Sequence, residues 1–435
     1  MKNILILAIA MSGASMPLDA LAENRVDRIR PDAPELAHYG DYPVGVATTQ
    51  FTNPGQIDVL NSTDEAQPTY DRTLTTEIWY PAAEGTQPGG IYSGLLRDGE
   101  TVIELHGQAA RDAEPAAGET FPLVVISHGW PGDRYLMSHL AENIASKGYV
   151  VIAPDHLRSG YQDTDFFKFF GSTLYHRPLD QRFLVEAMAE LDGPIGDITD
   201  VDNAAVVGYS MGGYGALIFG GAGITEDGVN FRAAPPARLL DRHVAGSQTH
   251  EELPDDRVKA IVTFGPWGRN RDFWDAQTMA GFDKPLMMLV GDADDISGYD
   301  ALRQIFDEAT GTNRHMLVFE GANHNAAAPI PAPIESWQPS DKVAFTPFFH
   351  YGDAVWDTNR MNNITQHFVT AFLDLHLKGD EAKAAYLDLI PRAADGVVSL
   401  NDDGTPKDDH TYWTGFAPRT ALGLTFETLE EGEGN

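Results

Sequence analysis

Short apolar runs separated by longer amphipathic stretches dominate the chain from residue 121 onward. Continuous apolar runs are typical of parallel strands buried on both faces, and the amphipathic stretches between them predict helices. The predicted strands cover 123–127, 150–153, 204–208, 258–264, 286–290 and 315–319. The predicted helices cover 135–146, 178–191, 211–219, 300–308 and 361–378. This alternation predicts an α/β fold, a mostly parallel sheet with helices on both faces.

Other parts of the chain follow different patterns. Alternation at 42–51 and 73–80 predicts antiparallel strands at the start of the sheet, and 411–429 predicts a terminal extension with strand character. Three segments lack a regular period: 157–176, 223–254 and 325–357. Each can reach the carboxyl edge of the sheet, where ligands bind in such folds. We expect them to form a cap on one domain that covers 23–435.

The first 22 residues are typical of a signal peptide. Lys2 precedes an apolar run at 4–10, and Ala20-Leu21-Ala22 matches an A-x-A cleavage site. We expect cleavage after Ala22 and a periplasmic or secreted protein. No run reaches about 18 apolar residues, so the sequence predicts no membrane span.

Composition excludes several classes of function. The 30 basic and 64 acidic residues give a net charge of −34, which repels phosphate backbones and argues against nucleic-acid binding. The chain has no cysteine, so it has no disulfides, no thiol nucleophile and no cysteine-based metal site.

A nucleophile motif follows the predicted strand 204–208. Gly208-Tyr209-Ser210-Met211-Gly212 has the G-x-S-x-G pattern of a sharp strand-to-helix turn, in which a serine hydroxyl stands above the sheet. The motif alone also fits a plain glycine-rich turn. The strand before it and the helix after it favour Ser210 as a nucleophile.

A serine nucleophile needs a base and an acid that orients the base, and this fold supplies them in the order Ser, acid, His. Gly291-Asp292-Ala293-Asp294-Asp295 follows one later strand, and Gly321-Ala322-Asn323-His324 follows the next. We predict Asp294 as the acid and His324 as the base. Asp292 and Asp295 are the alternative acids, and turn stabilisation is the other role open to these carboxylates.

The same chemistry needs two backbone N–H donors for the developing oxyanion. The amide of Met211 follows the nucleophile, and the turn His128-Gly129-Trp130-Pro131-Gly132 predicts the amide of Trp130 as the second donor. His350, His367 and His376 do not form a zinc motif. We expect neither a catalytic metal nor a cofactor.

These motifs resemble the dienelactone-hydrolase-like branch of the α/β hydrolases, in particular bacterial relatives of platelet-activating-factor acetylhydrolases. The matching residues are His128-Gly129-Trp130, Gly208 to Gly213, Gly291 to Asp294 and Gly321 to His324. The resemblance covers about 121–378. It implies the α/β-hydrolase fold, Ser-Asp-His hydrolysis and no cofactor, with Ser210 in place of the cysteine of thiol-dependent dienelactone hydrolases.

A weaker resemblance concerns Gly265-Pro266-Trp267. Bacterial cutinase-like polyester hydrolases carry a Pro-Trp pair at a similar point, and there the tryptophan lines the acyl cleft. Trp267 is therefore predicted to line the substrate pocket, with a core tryptophan as the alternative. The aromatic stretch 166–170 is equally consistent with core or with a pocket wall.

Together these features predict an exported serine esterase acting on a small-molecule or polymeric ester through an acyl-enzyme. The alternatives are an acyltransferase or amidase with the same triad, a polyester hydrolase, and a binding protein of the cell envelope without turnover.

Overall fold

A computed structural model describes residues 23–434. The predicted signal peptide, 1–22, lies outside the described residues. The strands are β1 (Asn24–Arg25), β2 (Val44–Ile57), β3 (Thr69–Pro81), β4 (Ile91–Leu95), β5 (Val102–His106), β6 (Ala110–Arg111), β7 (Phe121–Ser127), β8 (Val150–Pro154), β9 (Thr199–Tyr209), β10 (Val258–Phe264), β11 (Leu286–Gly291), β12 (Arg314–Phe319) and β13 (Leu424–Leu429). The helices are α1 (Ser138–Ala145), α2 (Phe166–Ala189), α3 (Pro194–Asp197), α4 (Met211–Phe219), α5 (Glu226–Val229), α6 (Gln248–Glu251), α7 (Ala276–Met279), α8 (Tyr299–Glu308) and α9 (Thr358–Lys378).

Ten strands form the main sheet in the order β13-β12-β11-β10-β9-β7-β8-β3-β2-β6. The six central strands from β12 to β8 are parallel. The pairs β13–β12, β8–β3 and β3–β2 are antiparallel, and the edge strand β6 is parallel to β2. A second sheet has the order β1-β5-β4. The carboxyl ends of the parallel strands therefore meet at one edge, which is where the candidate site forms.

Two apolar layers cover the sheet, because both faces of its central strands are buried. Val124 and Ile126 of β7 face the layer that includes α1 and α9. Leu123 and Val125 face the layer that includes α2, α4 and α8. This two-sided burial explains why the strands read as continuous apolar runs in the sequence.

The main correction to the predicted elements concerns α2. It begins at Phe166, capped by Asp165, so half of the segment predicted as irregular is helical. The sequence places Pro178 at a predicted helix start, but the helix continues through it. Pro178 has no N–H for the carbonyl of Leu174 four residues earlier. The Tyr214 hydroxyl donates to that carbonyl at 3.3 Å and satisfies it from outside the helix.

Several predicted boundaries were short or long by a few residues. The first early strand, β2, extends to Ile57, and the second, β3, begins at Thr69. The predicted terminal extension is a strand only over β13. The second sheet was not predicted at all. None of the helices within 23–434 is both long and apolar enough to cross a membrane.

Candidate active site

Ser210 stands at the turn between β9 and α4. Its φ of 52° lies in the left-handed region, which L-residues rarely adopt. Only 7% of the residue is exposed. The flanking glycines are required by space, since a Cβ on Gly208 would lie 2.3 Å from the carbonyl oxygen of Gly212. A Cβ on Gly212 would lie 1.9 Å from the carbonyl oxygen of Ser127 on the neighbouring strand. The G-x-S-x-G spacing therefore permits the turn that presents the hydroxyl.

Asp294 and His324 form a hydrogen-bonded pair beyond β11 and β12. The distance from His324 Nδ1 to Asp294 Oδ2 is 2.8 Å. The other oxygen of Asp294 accepts the amides of Ile296 at 2.9 Å and Ser297 at 2.8 Å. Burial opposes ionisation of Asp294, but the hydrogen bond and charge of His324 and these amides outweigh it, so the pKa of Asp294 lies below its usual value. The carboxylate is thus fixed in position and ionised.

The two alternative acids have other surroundings. The Asp292 carboxylate accepts the amide N–H of Gly321 and joins the loop after β11 to the loop after β12. Asp295 is exposed and lines the cavity at Ser210. Of the three carboxylates, the structure brings only Asp294 to the imidazole of His324.

Gly265, directly after β10, lets the backbone pack against this pair. Its φ is 45°, and a Cβ there would lie 3.0 Å from Asp294 Oδ2 and 3.2 Å from His324 Nδ1. The Ser297 hydroxyl donates to the Gly265 carbonyl at 2.9 Å. Tyr209 covers another side of the imidazole, with ring centroids 5.3 Å apart. The acid and base are therefore held by backbone and aromatic contacts from three strand ends.

Ser210 and His324 line one cavity of about 410 Å³. Within residues 23–434, no hydrogen bond joins the Ser210 hydroxyl to the imidazole. Such bonds are often long in free enzymes and tighten when substrate binds. The remaining lining residues are Arg97, Trp130, Pro131, Tyr209, Asp295, Ile296, Asn323, Asn325, Phe345, Phe349 and His350.

Of the two predicted oxyanion donors, Trp130 lines this cavity and Met211 directly follows Ser210 in the chain. Met211 is the first residue of α4, and Trp130 follows the end of β7. Neither backbone N–H donates to any acceptor in the part of the chain that the structure describes. Gly129 brings the Trp130 turn close to the nucleophile, since a Cβ on Gly129 would lie 3.4 Å from Ser210 Cβ. Both amides are therefore available to an incoming oxygen.

Trp267 is not part of the cavity lining, contrary to the sequence-based prediction. The residue is 8% exposed, and its indole packs among aromatic rings with centroids between 5.1 and 6.2 Å away. These neighbours are Phe170, Tyr214, Phe231 and Phe273. Because α2 begins at Phe166, its Phe170 stands between Trp267 and Trp130 and contacts both rings. Trp267 instead supports the nucleophile turn, as its amide donates to the Ser210 carbonyl at 3.1 Å.

Sequence reasoning missed several residues of the cavity. Of the three predicted cap segments, only 325–357 contributes to the cavity lining. Its contribution includes Phe345, Phe349 and His350. Arg97 comes from the turn between β4 and β5, about 110 residues before the nucleophile. The Phe-Phe-His run was a usable indication of a pocket wall, whereas no sequence pattern marks Arg97.

A second Ser–His–Asp group lies beneath the Trp130 turn. Ser127 Oγ is 2.9 Å from His156 Nε2, and His156 Nδ1 is 2.8 Å from Asp180 Oδ2. Arg72 donates to both oxygens of Asp180, at 2.7 and 2.8 Å. Arg177 donates to the carbonyl of His128, the first residue of the turn. This buried network fixes the base of the turn that carries the Trp130 amide.

No group of three or more acidic or histidine side chains within 23–434 is arranged to hold a metal ion. The imidazole of His128 bonds to the Gly129 carbonyl at 2.7 Å and to the His156 amide at 3.3 Å, so its contacts are those of a structural residue.

Comparisons with known proteins agree with this architecture. A family model described as alpha/beta hydrolase fold matches residues 122–221, and one described as platelet-activating factor acetylhydrolase, isoform II, matches 40–169. No curated protein matches the chain. Among solved structures, a ferulic acid esterase from Streptomyces cinnamoneus is similar, with a TM-score of 0.55 and 20% identity over 80% of this chain and 94% of that chain. The predicted α/β-hydrolase fold is confirmed, as is the predicted resemblance to serine esterases.

Proposed function

We propose that this chain, an ester hydrolase of the α/β-hydrolase fold, cleaves carboxylic esters through a covalent acyl-enzyme on Ser210. The observation that carries the proposal is the Asp294–His324 pair, bonded at 2.8 Å, at the cavity that also exposes Ser210. The Ser210 turn, the pair and the two free amides supply the parts that acyl transfer to a serine requires.

In the first half of the reaction, the Ser210 hydroxyl attacks the ester carbonyl carbon while His324 Nε2 accepts its proton. Asp294 holds Nδ1–H, which leaves Nε2 as the acceptor and stabilises the imidazolium. The tetrahedral oxyanion accepts hydrogen bonds from the amides of Trp130 and Met211. Collapse expels the alcohol, which takes the proton from His324.

In the second half, water attacks the acyl-enzyme with His324 again accepting a proton. The second tetrahedral intermediate then collapses and releases the carboxylic acid, while His324 returns the proton to the Ser210 oxygen. Asp294 remains ionised throughout, consistent with its lowered pKa. All the groups that the cycle uses belong to this chain, and the only co-reactant is water.

The cavity bounds the substrate. A volume of about 410 Å³ falls within the range of small-molecule sites, and aromatic walls from Phe345 and Phe349 favour an organic ester. The matched family acts, by its description, on platelet-activating factor, and the similar structure is a ferulic acid esterase. Trp267 lies outside the cavity, so the polyester alternative loses the residue that suggested it.

Covalent labelling tests the proposed nucleophile. Incubation with a fluorophosphonate is expected to add one phosphonyl group to the intact protein, and peptide mass spectrometry is expected to place it on Ser210. Ser210→Ala should remain unlabelled. Stoichiometric labelling of a different residue, or none in protein that hydrolyses para-nitrophenyl acetate, would contradict the mechanism. A non-catalytic binding protein would neither react nor hydrolyse the ester.

Acyl transfer is the second catalytic possibility for the same site. Product analysis in water containing a competing alcohol separates the two, because a hydrolase releases mainly acid and a transferase releases mainly the new ester. We also propose that the protein is exported. Intact-mass measurement of the expressed protein from the extracytoplasmic fraction should then give a chain that begins at Glu23.

A further inference from the structure

One cation in the active-site cavity has no partner. Arg97 lines the cavity together with Ser210 and His324. Its Nη1 atom is buried and makes no hydrogen bond, and no ion pair to Arg97 is present in residues 23–434. The ring of Phe345 lies beside the guanidinium, with the ring centroid 5.4 Å from the guanidinium carbon.

This isolation is unusual for the composition of the chain. Acidic residues outnumber basic ones by 64 to 30. The fully buried arginines within 23–434 all have hydrogen-bond acceptors: Arg72 pairs with Asp180, whereas Arg177 and Arg314 donate to backbone carbonyls. Burial lowers the pKa of Arg97, and only the phenols of Tyr161 and Tyr351 act in the opposite direction. A half-buried guanidinium without an anion is costly, so its presence in the cavity that exposes Ser210 favours a partner that arrives with the substrate.

The rest of the cavity indicates which kind of anion fits. Arg97 is the only lysine or arginine among the lining residues, and His350 stays neutral because burial and Arg97 lower its pKa to about 3. Asp295 adds a negative charge at the exposed side of the cavity. One cation beside one anion suits a single negative charge and disfavours a dianion such as a phosphate monoester. The planar guanidinium matches a carboxylate in a two-bond arrangement.

We propose that the physiological substrate is an ester that carries a free carboxylate away from the scissile bond, and that Arg97 binds this carboxylate. This inference rests on the proposed ester hydrolysis at Ser210. It makes Arg97 a determinant of specificity and leaves the chemical step to the triad.

The test compares matched charged and neutral esters. Mono-para-nitrophenyl glutarate carries a carboxylate on the acyl side, and para-nitrophenyl pentanoate is its neutral counterpart. Meta-carboxyphenyl acetate carries a carboxylate on the alcohol side, and phenyl acetate is its neutral counterpart. In the wild-type protein, we expect kcat/KM to be higher for the charged member of one pair, on the order of 10- to 100-fold. Equal values within both pairs would overturn the inference and leave the esterase mechanism intact, whereas no hydrolysis of any ester would overturn the mechanism itself.

Variants identify the residue responsible. Arg97→Gln should lower the ratio of kcat/KM between the favoured charged ester and its neutral partner to about one, mainly through a higher KM for the charged ester. Arg97→Lys keeps the charge but not the planar fork and should retain part of the preference. Arg419→Gln removes the same charge from an exposed residue outside the cavity and should leave the ratio unchanged. An equal loss on charged and neutral esters in Arg97→Gln would instead show a structural role.

Binding without turnover gives an independent readout. Glutarate or meta-hydroxybenzoate, the carboxylate-bearing product of the favoured pair, should inhibit neutral-ester hydrolysis competitively and raise the melting temperature of wild-type protein. Both effects should be absent in Arg97→Gln, whose own melting temperature should match or exceed that of wild type because it loses an unpaired charge. Inhibition that persists in Arg97→Gln would overturn the assignment.

Discussion

The described residues contain two Ser–His–Asp groups, and the one with the more complete hydrogen bonding is not the one proposed to react. In the buried group, Ser127, His156 and Asp180 are linked by bonds of 2.9 and 2.8 Å. In the candidate active site, His324 bonds to Asp294 at 2.8 Å, while the Ser210 hydroxyl has no bond to the imidazole. Bond lengths alone would favour Ser127 over Ser210.

Access and electrostatics separate the two groups. Ser127 is 0% exposed, whereas Ser210 opens to a cavity of about 410 Å³. Burial and the neighbouring Arg177 lower the pKa of His156 to about 3, so it is a poor proton acceptor at neutral pH. The acid of the buried group is also neutralised by Arg72. The comparison teaches that a triad needs a reachable serine, a base able to take a proton and free amides nearby, in addition to the right three residue types.

Exchange of each serine for alanine gives the largest contrast. Ser210→Ala should lower ester turnover by about four to six orders of magnitude, because the nucleophile is lost, with little change in melting temperature. Ser127→Ala removes one buried hydroxyl bond and should cost about 1 kcal/mol of unfolding free energy, with turnover close to wild type. Steady-state kinetics and chemical denaturation of both variants measure this. A large loss of turnover in Ser127→Ala alone would reverse the assignment of the two groups.

The acid of the active site should matter next most. Asp294→Asn removes the charge that orients His324 and stabilises its protonated form, so kcat should fall by about two to four orders of magnitude. Asp292→Asn and Asp295→Asn are matched controls in the same loop and should change kcat far less. If Asp292→Asn were the crippling change, the bond between Asp294 and His324 would have no catalytic meaning.

The acid of the buried group should affect folding. Asp180→Asn leaves the guanidinium of Arg72 buried without its counter-charge and should lower the free energy of unfolding by about 3 to 5 kcal/mol. The double variant Arg72→Met, Asp180→Leu removes both charges and should recover part of that loss. Chemical denaturation of the three proteins makes the comparison. A single variant as stable as wild type would show that the ion pair contributes nothing.

Acid pH offers a smaller and more gradual test. Burial lowers the pKa of His156, His243 and His367 to about 3 in the folded protein, against about 6.5 in an unfolded chain. Between these values only the unfolded chain takes up protons, so stability falls as pH drops below about 6.5, by up to about 1.4 kcal/mol per pH unit for each histidine. The melting temperature should be level above pH 7 and decline toward pH 5. A level profile over the whole range would contradict the assignment of these histidines as neutral.

Much of the active site could be predicted from the sequence because local rules determine it. The strands of the parallel sheet show as apolar runs, and close packing against Ser127 and Gly212 requires the glycines beside Ser210. The acid and base follow consecutive strands, so chain order alone predicted Asp294 and His324. Each of these features leaves a local signal in the sequence, even where the packing partner is distant in the chain.

The rest depends on contacts between distant residues. Pro178 lies inside α2 because Tyr214, 36 residues away, satisfies the freed carbonyl. Trp267 is closed off by Phe170 of the same helix, and Arg97 reaches the cavity from a sheet that the sequence did not predict. The buried group joins the end of β7, the loop after β8 and α2, and its three residues belong to no shared sequence motif. No local sequence pattern predicts contacts between residues that are distant in the chain, so these features became visible only in the structure.

The hydrogen bond from Gly321 to Asp292 has a consequence for local unfolding. It links the loop that carries Asp294 to the loop that carries His324, at a point outside the hydrogen bond between those two residues. When either loop opens, the amide proton of Gly321 becomes free to exchange with deuterium from the solvent. The exchange rate of this amide therefore reports how often the two loops separate. A ligand that stabilises the closed site should slow this exchange.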